Sequence, residues 1–175
     1  MMHTFYAVFD TNVLVSALMS RRADSPTVLL LDYVLDGRIV LLYNEDIIHE
    51  YEEVLHRGKF DFDEDSIQNL MELVKTGLHL DPTESDEIFA DKDDRVFYEV
   101  ALSKEDGYVV TGNTKHFPKS PIVVTPTEMM QIVQEQINNK NKCKTTKRVC
   151  FLPKSLCITS ALMSCIDDFE NGVVH

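Results

Sequence analysis

The chain has 175 residues, 44% of them hydrophobic, and a formal charge of −12. That is the length of about one domain with enough apolar content for a core, and no apolar run reaches the roughly 18–20 residues of a membrane span. The charge is uneven: residues 137–175 carry six Lys/Arg and three Asp/Glu, which leaves 11 basic and 26 acidic residues in 1–136, a net of −15. No basic footprint for nucleic acid exists at this level, so an enzyme acting on it needs cations in its site or a local basic rim. Acidity by itself does no more than keep a protein soluble.

The first residues, Met1-Met2-His3-Thr4, lack the basic and apolar regions of a signal peptide. A cytoplasmic protein without a membrane partner is the expectation. All four cysteines fall at 143, 150, 157 and 165 without a CxxC pair. The spacing excludes a standard zinc site, and reduced thiols are expected.

Residues 4–9 read as a buried strand and 12–19 as a short helix. Asp24-Ser25-Pro26 starts a second helix, which Asp36-Gly37 stops. Residues 38–43 are a second buried strand. Asn44 caps the next helix, whose first turn holds Glu45 and Asp46 and whose apolar stripe is Ile47, Ile48, Tyr51, Val54 and Leu55. Asp65 or Ser66 opens a fourth helix, Gly77 stops it, and Leu78-His79-Leu80 is a short strand. Residues 81–91 form a polar, acidic connection. A helix is expected over about 93–103, a strand over 108–111, a turn at Gly112-Asn113, a strand at 122–124 and a helix from Pro126 to about Gln136. Strands alternating with helices predict an α/β domain with a parallel sheet. Residues 1–136 would be that domain. Residues 137–175 read as a basic linker over 137–148 and, from Ser155, an amphipathic helix carried by Ile158, Ala161, Leu162, Cys165, Ile166 and Phe169.

Asp10 directly follows the first apolar strand, where an unpaired charge costs several kcal/mol. Ligands of open parallel sheets bind beyond the carboxyl ends of the strands. Asn113, after the 108–111 strand, reaches the same edge. Asp91, Asp93 and Asp94 open the helix that feeds that strand. Adjacent carboxylates repel unless a cation joins them, and oxygen donors suit Mg²⁺ or Mn²⁺. Each feature also has a plain structural explanation. Asp10 is a good helix N-cap, the acidic trio suits a helix dipole, and on helical spacing Glu50 and Glu52 both border the apolar stripe as ordinary surface charges.

The stretches "FDTNVLVSAL", "IIHEYEEVL", "DKDDRVFYEVAL" and "YVVTGNTKHF", in this order over about residues 4–134, resemble the PIN domain family, and within it the toxins of toxin–antitoxin pairs. The resemblance implies a three-layer α/β/α sandwich with a central, mainly parallel sheet. It implies Mg²⁺- or Mn²⁺-dependent cleavage of single-stranded RNA, and neutralisation by a cognate antitoxin. A homodimer is a further expectation. By the same resemblance the acidic ligands are Asp10, Glu50 and Asp94, the last sharing its role with Asp93 or Asp91. The fourth, usually acidic, position is Asn113, which brings an oxygen but no charge. Thr11 and Asn12 are expected to hold Asp10, with Thr111 as a further support. Lys92, Arg95, Lys115 and His116 are the candidate RNA contacts. Two other readings compete: a PIN-like module that binds RNA or protein without catalysis, and a haloacid dehalogenase-type phosphohydrolase. The latter needs an Asp two residues after the first, where this chain has Asn12.

Overall fold

A computed structural model describes residues 4–89 and 93–149, with side chains through residue 138. Among these residues five strands form one sheet: β1 (Phe5–Phe9), β2 (Ile39–Tyr43), β3 (Leu78–His79), β4 (Gly107–Val110) and β5 (Val123–Val124). Their order is β3-β2-β1-β4-β5 and every pairing is parallel. β1 lies at the centre, with Phe5 opposite Ile39 on one side and Phe9 opposite Val110 on the other. Its Phe5, Ala7, Val8 and Phe9 are buried, as a strand covered on both faces requires.

Among the described residues six helices complete the three-layer α/β/α sandwich: α1 (Thr11–Met19), α2 (Pro26–Leu35), α3 (Glu45–Leu55), α4 (Glu64–Lys75), α5 (Arg95–Leu102) and α6 (Pro126–Val149). α1 packs on α2 and α2 on β2, while α3, α4 and α5 pack together, with α4 against β2 and α5 across β1, β2 and β4. Gln134 of α6 donates to the Tyr33 hydroxyl of α2 at 3.3 Å. The core joins both sides of the sheet through Leu14, Leu30, Ile47, Tyr51, Phe97 and Met129, all at most 2% exposed.

Local chemistry sets most of the boundaries. Ser25 caps α2 by accepting from the Val28 N–H, with Pro26 at the first helical position. Gly37 ends that helix at φ +68°, a conformation that costs glycine nothing. Asn44 Oδ1 accepts from the Ile47 N–H at 3.0 Å and starts α3.

Most strands and α1 shift by one residue from the sequence reading, and three helix boundaries differ for physical reasons. α4 starts at Glu64 rather than Asp65 or Ser66, because Asp63 accepts from both the N–H and the hydroxyl of Ser66. α5 starts at Arg95 rather than Asp93, and Asp94 stands at its N-cap position without a capping hydrogen bond from its side chain. α6 runs to Val149, past Gln136 and through the stretch read as a linker. No Gly or Pro interrupts residues 127–152, so nothing in the backbone chemistry ends the helix at Gln136. The chain divides into a compact unit, Met1–Asn139, and a second unit, Lys140–His175. The amphipathic helix expected from Ser155 lies outside the described residues. Among the described residues no helix is long and apolar enough to cross a membrane.

Asn44→Ala leaves the buried Ile47 N–H without its acceptor. It is expected to lower stability by about 1 kcal/mol, read as a lower urea midpoint with an unchanged slope.

Candidate active site at the carboxyl edge of the sheet

The sheet order places a topological switch between β1 and β4. The chain winds outward from β1 to β2 and β3, then returns to the far side of β1 as β4. In such sheets the crevice beyond these two strand ends is where ligands bind. Asp10 follows β1 there, and Thr111 follows β4.

Asp10 is 7% exposed. Its backbone N–H continues the ladder to the Val110 carbonyl at 2.9 Å. Its carboxylate caps α1, accepting from the Asn12 N–H at 3.4 Å. The other oxygen accepts from Asn12 Nδ2 and from Thr111 Oγ1, each at 2.5 Å. Asn12 also accepts from the Gly112 N–H at 2.9 Å, so one amide side chain bridges both strand ends. A Cβ at Gly112 would stand 3.1 Å from that amide oxygen, a tight contact that glycine avoids. The Asn113 N–H donates to Thr111 Oγ1 at 2.9 Å, which sets the hydroxyl's own proton toward Asp10. The sequence reading puts Thr11 beside Asp10. In the structure its hydroxyl donates instead to Glu50 Oε1 on α3, at 2.9 Å. As the first residue of α1, it faces a neighbouring helix rather than the strand end behind it.

Tyr51 adds a second tie between α3 and this edge. Its ring is buried, and its hydroxyl donates to the Phe9 carbonyl, the last of β1. Glu50 is therefore fixed from both sides along the chain, by Thr11 on itself and by Phe9 on its neighbour. On sequence grounds Tyr51 is only a member of the apolar stripe, since nothing local discloses the partner of its hydroxyl.

Asp94 Oδ2 accepts from His116 Nδ1 at 3.1 Å. His116 lies in the short 3-10 turn Thr114–His116 that follows Asn113. Asp93 and Asp94 border a cleft of about 550 Å³ together with Glu50 and, along α3, His49, Glu53 and Arg57. His49, Glu53 and Arg57 recur at four-residue intervals, and that helical spacing is the signal by which this wall of the cleft is readable in the sequence. Arg57 donates to Glu53 at 3.0 Å.

Of the candidate RNA contacts, Arg95 is engaged elsewhere. It donates to the Ser85 carbonyl at 2.7 Å, pairs with Glu99 at 3.3 Å and stacks over Phe89. Lys115 is exposed, and His116 is half-exposed on Asp94. Asp91 and Lys92 lie outside the described residues.

The electrostatics follow from this crowding. Burial raises the Asp10 carboxyl above its ordinary value, opposed by hydrogen bonds from Thr111 and Asn12 and by the nearby His116. Burial also raises Glu50, opposed by the Thr11 hydroxyl and reinforced by the charges of Asp10, Asp93 and Asp94. Burial lifts Tyr51 well above the usual tyrosine range, and Asp10 and Glu50 add to it. Tyr51 is therefore a neutral donor at any ordinary pH.

The donors are hard oxygens that repel one another, which is the chemistry a divalent cation relieves. Among the described residues no group of three or more His, Cys, Asp or Glu side chains is placed to hold a metal ion. Mg²⁺ does not require one, since it keeps several waters and is commonly held by one or two carboxylates and substrate phosphates. Asp10 and Glu50 fit that role, with Asp94 and Asp93 across the cleft.

Glu50→Gln keeps an acceptor for Thr11 and removes the charge. A carboxyl raised on folding stabilises fully below its unfolded-state pKa and loses that contribution as pH rises through the folded-state value. Metal-free Glu50→Gln is therefore expected to melt above wild type near neutral pH. The gap should close as pH falls through the raised Glu50 value, followed by calorimetry in EDTA.

A family model described as PIN domain matches residues 6–115, from β1 through the turn that carries Asn113. No curated protein and no solved structure matches the chain. The matched span is well over half of the chain and contains both strand ends of the switch point, the α3 glutamate and the start of α5. The chain belongs to the PIN domain family, whose members are generally metal-dependent nucleases.

Proposed function

We propose that this protein is a Mg²⁺- or Mn²⁺-dependent endoribonuclease acting on single-stranded RNA, the toxin of a toxin–antitoxin pair neutralised by a cognate antitoxin. The observation that carries the reading is the pairing of Asp10 and Glu50. Two partly desolvated carboxylates from different elements are each held by a dedicated threonine hydroxyl, at 2.5 Å from Thr111 and 2.9 Å from Thr11. Such bonds offset the cost of burying Asp10, and they also give the fixed placement that catalytic groups need, because reactivity falls steeply with small errors of position.

When bound, the cation supplies Lewis acidity toward a phosphodiester and a water of lowered pKa. The chain's own part is to hold oxygens in place. Asn12 and Thr111 orient Asp10, and Thr11 and Tyr51 orient Glu50. Asp94, with Asp93 beside it, faces them from the start of α5. Asn113 contributes an uncharged oxygen, which favours one cation over two. RNA approaching this acidic edge meets Arg57 and His49 along the cleft, and Lys115, exposed in the turn after β4, remains a candidate contact. The toxin role and a homodimer come from the resemblance of "YVVTGNTKHF" and its companion motifs to PIN-type toxins, and a cytoplasmic setting remains an expectation from the sequence. The uncharged Asn113 favours one rival, a PIN-like module that binds RNA or a protein partner without cleaving.

Purified protein is expected to cleave a labelled single-stranded RNA in Mn²⁺ or Mg²⁺ and not in EDTA. Asp10→Asn, which preserves the shape of the cap, is expected to reduce the rate by more than about a hundredfold, the scale on which positioned charge and proton carriers contribute. Cleavage that survives Asp10→Asn, or that persists in EDTA, overturns the nuclease assignment at this site.

A further inference from the structure

Asp94 occupies the N-cap position of α5, yet its carboxylate makes no capping hydrogen bond. An aspartate there ordinarily accepts from an N–H two or three residues on. Here Oδ2 accepts instead from His116 Nδ1 at 3.1 Å, with the Asp94 side chain 16% exposed and the His116 side chain 46% exposed. The two residues are 22 positions apart and reach each other across the switch point, His116 from the turn after β4 and Asp94 from the helix before it.

That turn is itself anchored to the site. The Asn113 N–H is held by Thr111 Oγ1 at 2.9 Å, the same hydroxyl that donates to Asp10. The His116 N–H in turn donates to the Asn113 carbonyl at 3.2 Å. Phe117, next along, is buried and pins the turn to the core. A continuous series of hydrogen bonds thus runs from Asp10 through Thr111, Asn113 and His116 to Asp94. It joins the carboxylate after β1 to the carboxylate before α5 without passing through substrate or cation.

We infer that His116 is a positioning residue, whose Nδ1–H holds the Asp94 carboxylate turned away from its own helix and toward the cation edge shared with Asp10 and Glu50. This rests on the metal-dependent reading above and extends it from the ligands to what orients them. It also gives His116 a different task from the phosphate contact expected of it on sequence grounds. Outer partners of metal ligands typically contribute about 10–100-fold to metal affinity, and a half-exposed histidine is replaceable without loss of fold.

The test compares wild type, His116→Ala and His116→Asn as full chains. Asn is chosen because its Nδ2 can stand where Nδ1 does. Mn²⁺ affinity is measured by isothermal titration on EDTA-stripped protein, alongside metal-free melting and RNA cleavage. The expected result is Mn²⁺ binding weakened about tenfold or more in His116→Ala, substantial recovery in His116→Asn, and metal-free melting temperatures alike in all three. Unchanged Mn²⁺ affinity in His116→Ala overturns the inference. So does a loss matched by an equal fall in metal-free stability, which marks a merely structural turn. Wild-type protein that binds Mn²⁺ but cleaves no RNA refutes the nuclease reading alone, and the affinity comparison still decides the role of His116. Wild-type protein that binds no Mn²⁺ overturns both.

Discussion

The burial of one carboxylate at the end of the central strand organises this molecule. Asp10 lies almost wholly out of solvent, where an ionised group costs several kcal/mol unless its oxygens are satisfied. Its position does not allow it to retreat, because its own backbone still belongs to the β1–β4 ladder. The surrounding structure therefore brings donors to it: the first-turn N–H of α1, the Asn12 amide and the Thr111 hydroxyl. The same donors tie β1 to β4 beyond their last paired residues, so the site and the seam of the sheet are one set of bonds.

A second carboxylate is added to the first by helix packing. α3 lies close enough to α1 for Thr11 to reach Glu50, and Tyr51 fastens α3 to the final carbonyl of β1. Both ties lie beside buried apolar surface, where hydrogen bonds are strong and unpaired groups expensive. The result is a pair of acidic groups held against their mutual repulsion by neutral donors. Such an arrangement stores unfavourable electrostatic energy that a cation relieves.

The start of α5 is the third contribution, and it departs from ordinary helix design. Asp94 stands where a cap belongs but accepts from His116 instead. Arg95, the first residue of α5, is engaged with Ser85, Glu99 and Phe89, where it fastens the acidic 81–89 segment along α5.

Much of this was written locally. Apolar runs of β-branched and aromatic residues marked the strands β1, β2, β4 and β5, and capping residues such as Ser25 and Asn44 marked helix starts, because each depends on neighbours within about four positions. Asp10 stood out for the same reason, as a charge abutting a buried run. The boundaries that differed did so where a local rule had two solutions, as at Asp63, or where nothing local ends a helix, as beyond Gln136. What tertiary structure alone decided is the partnership of side chains far apart in sequence: Thr11 with Glu50, Tyr51 with the carbonyl of Phe9, His116 with Asp94, and Arg95 turned away from the site. A sequence carries the propensity of each residue to donate, accept or be buried. Which donor meets which acceptor across 22, 39 or 101 residues is fixed only when the sheet order brings β4 back beside β1 and closes the edge around them.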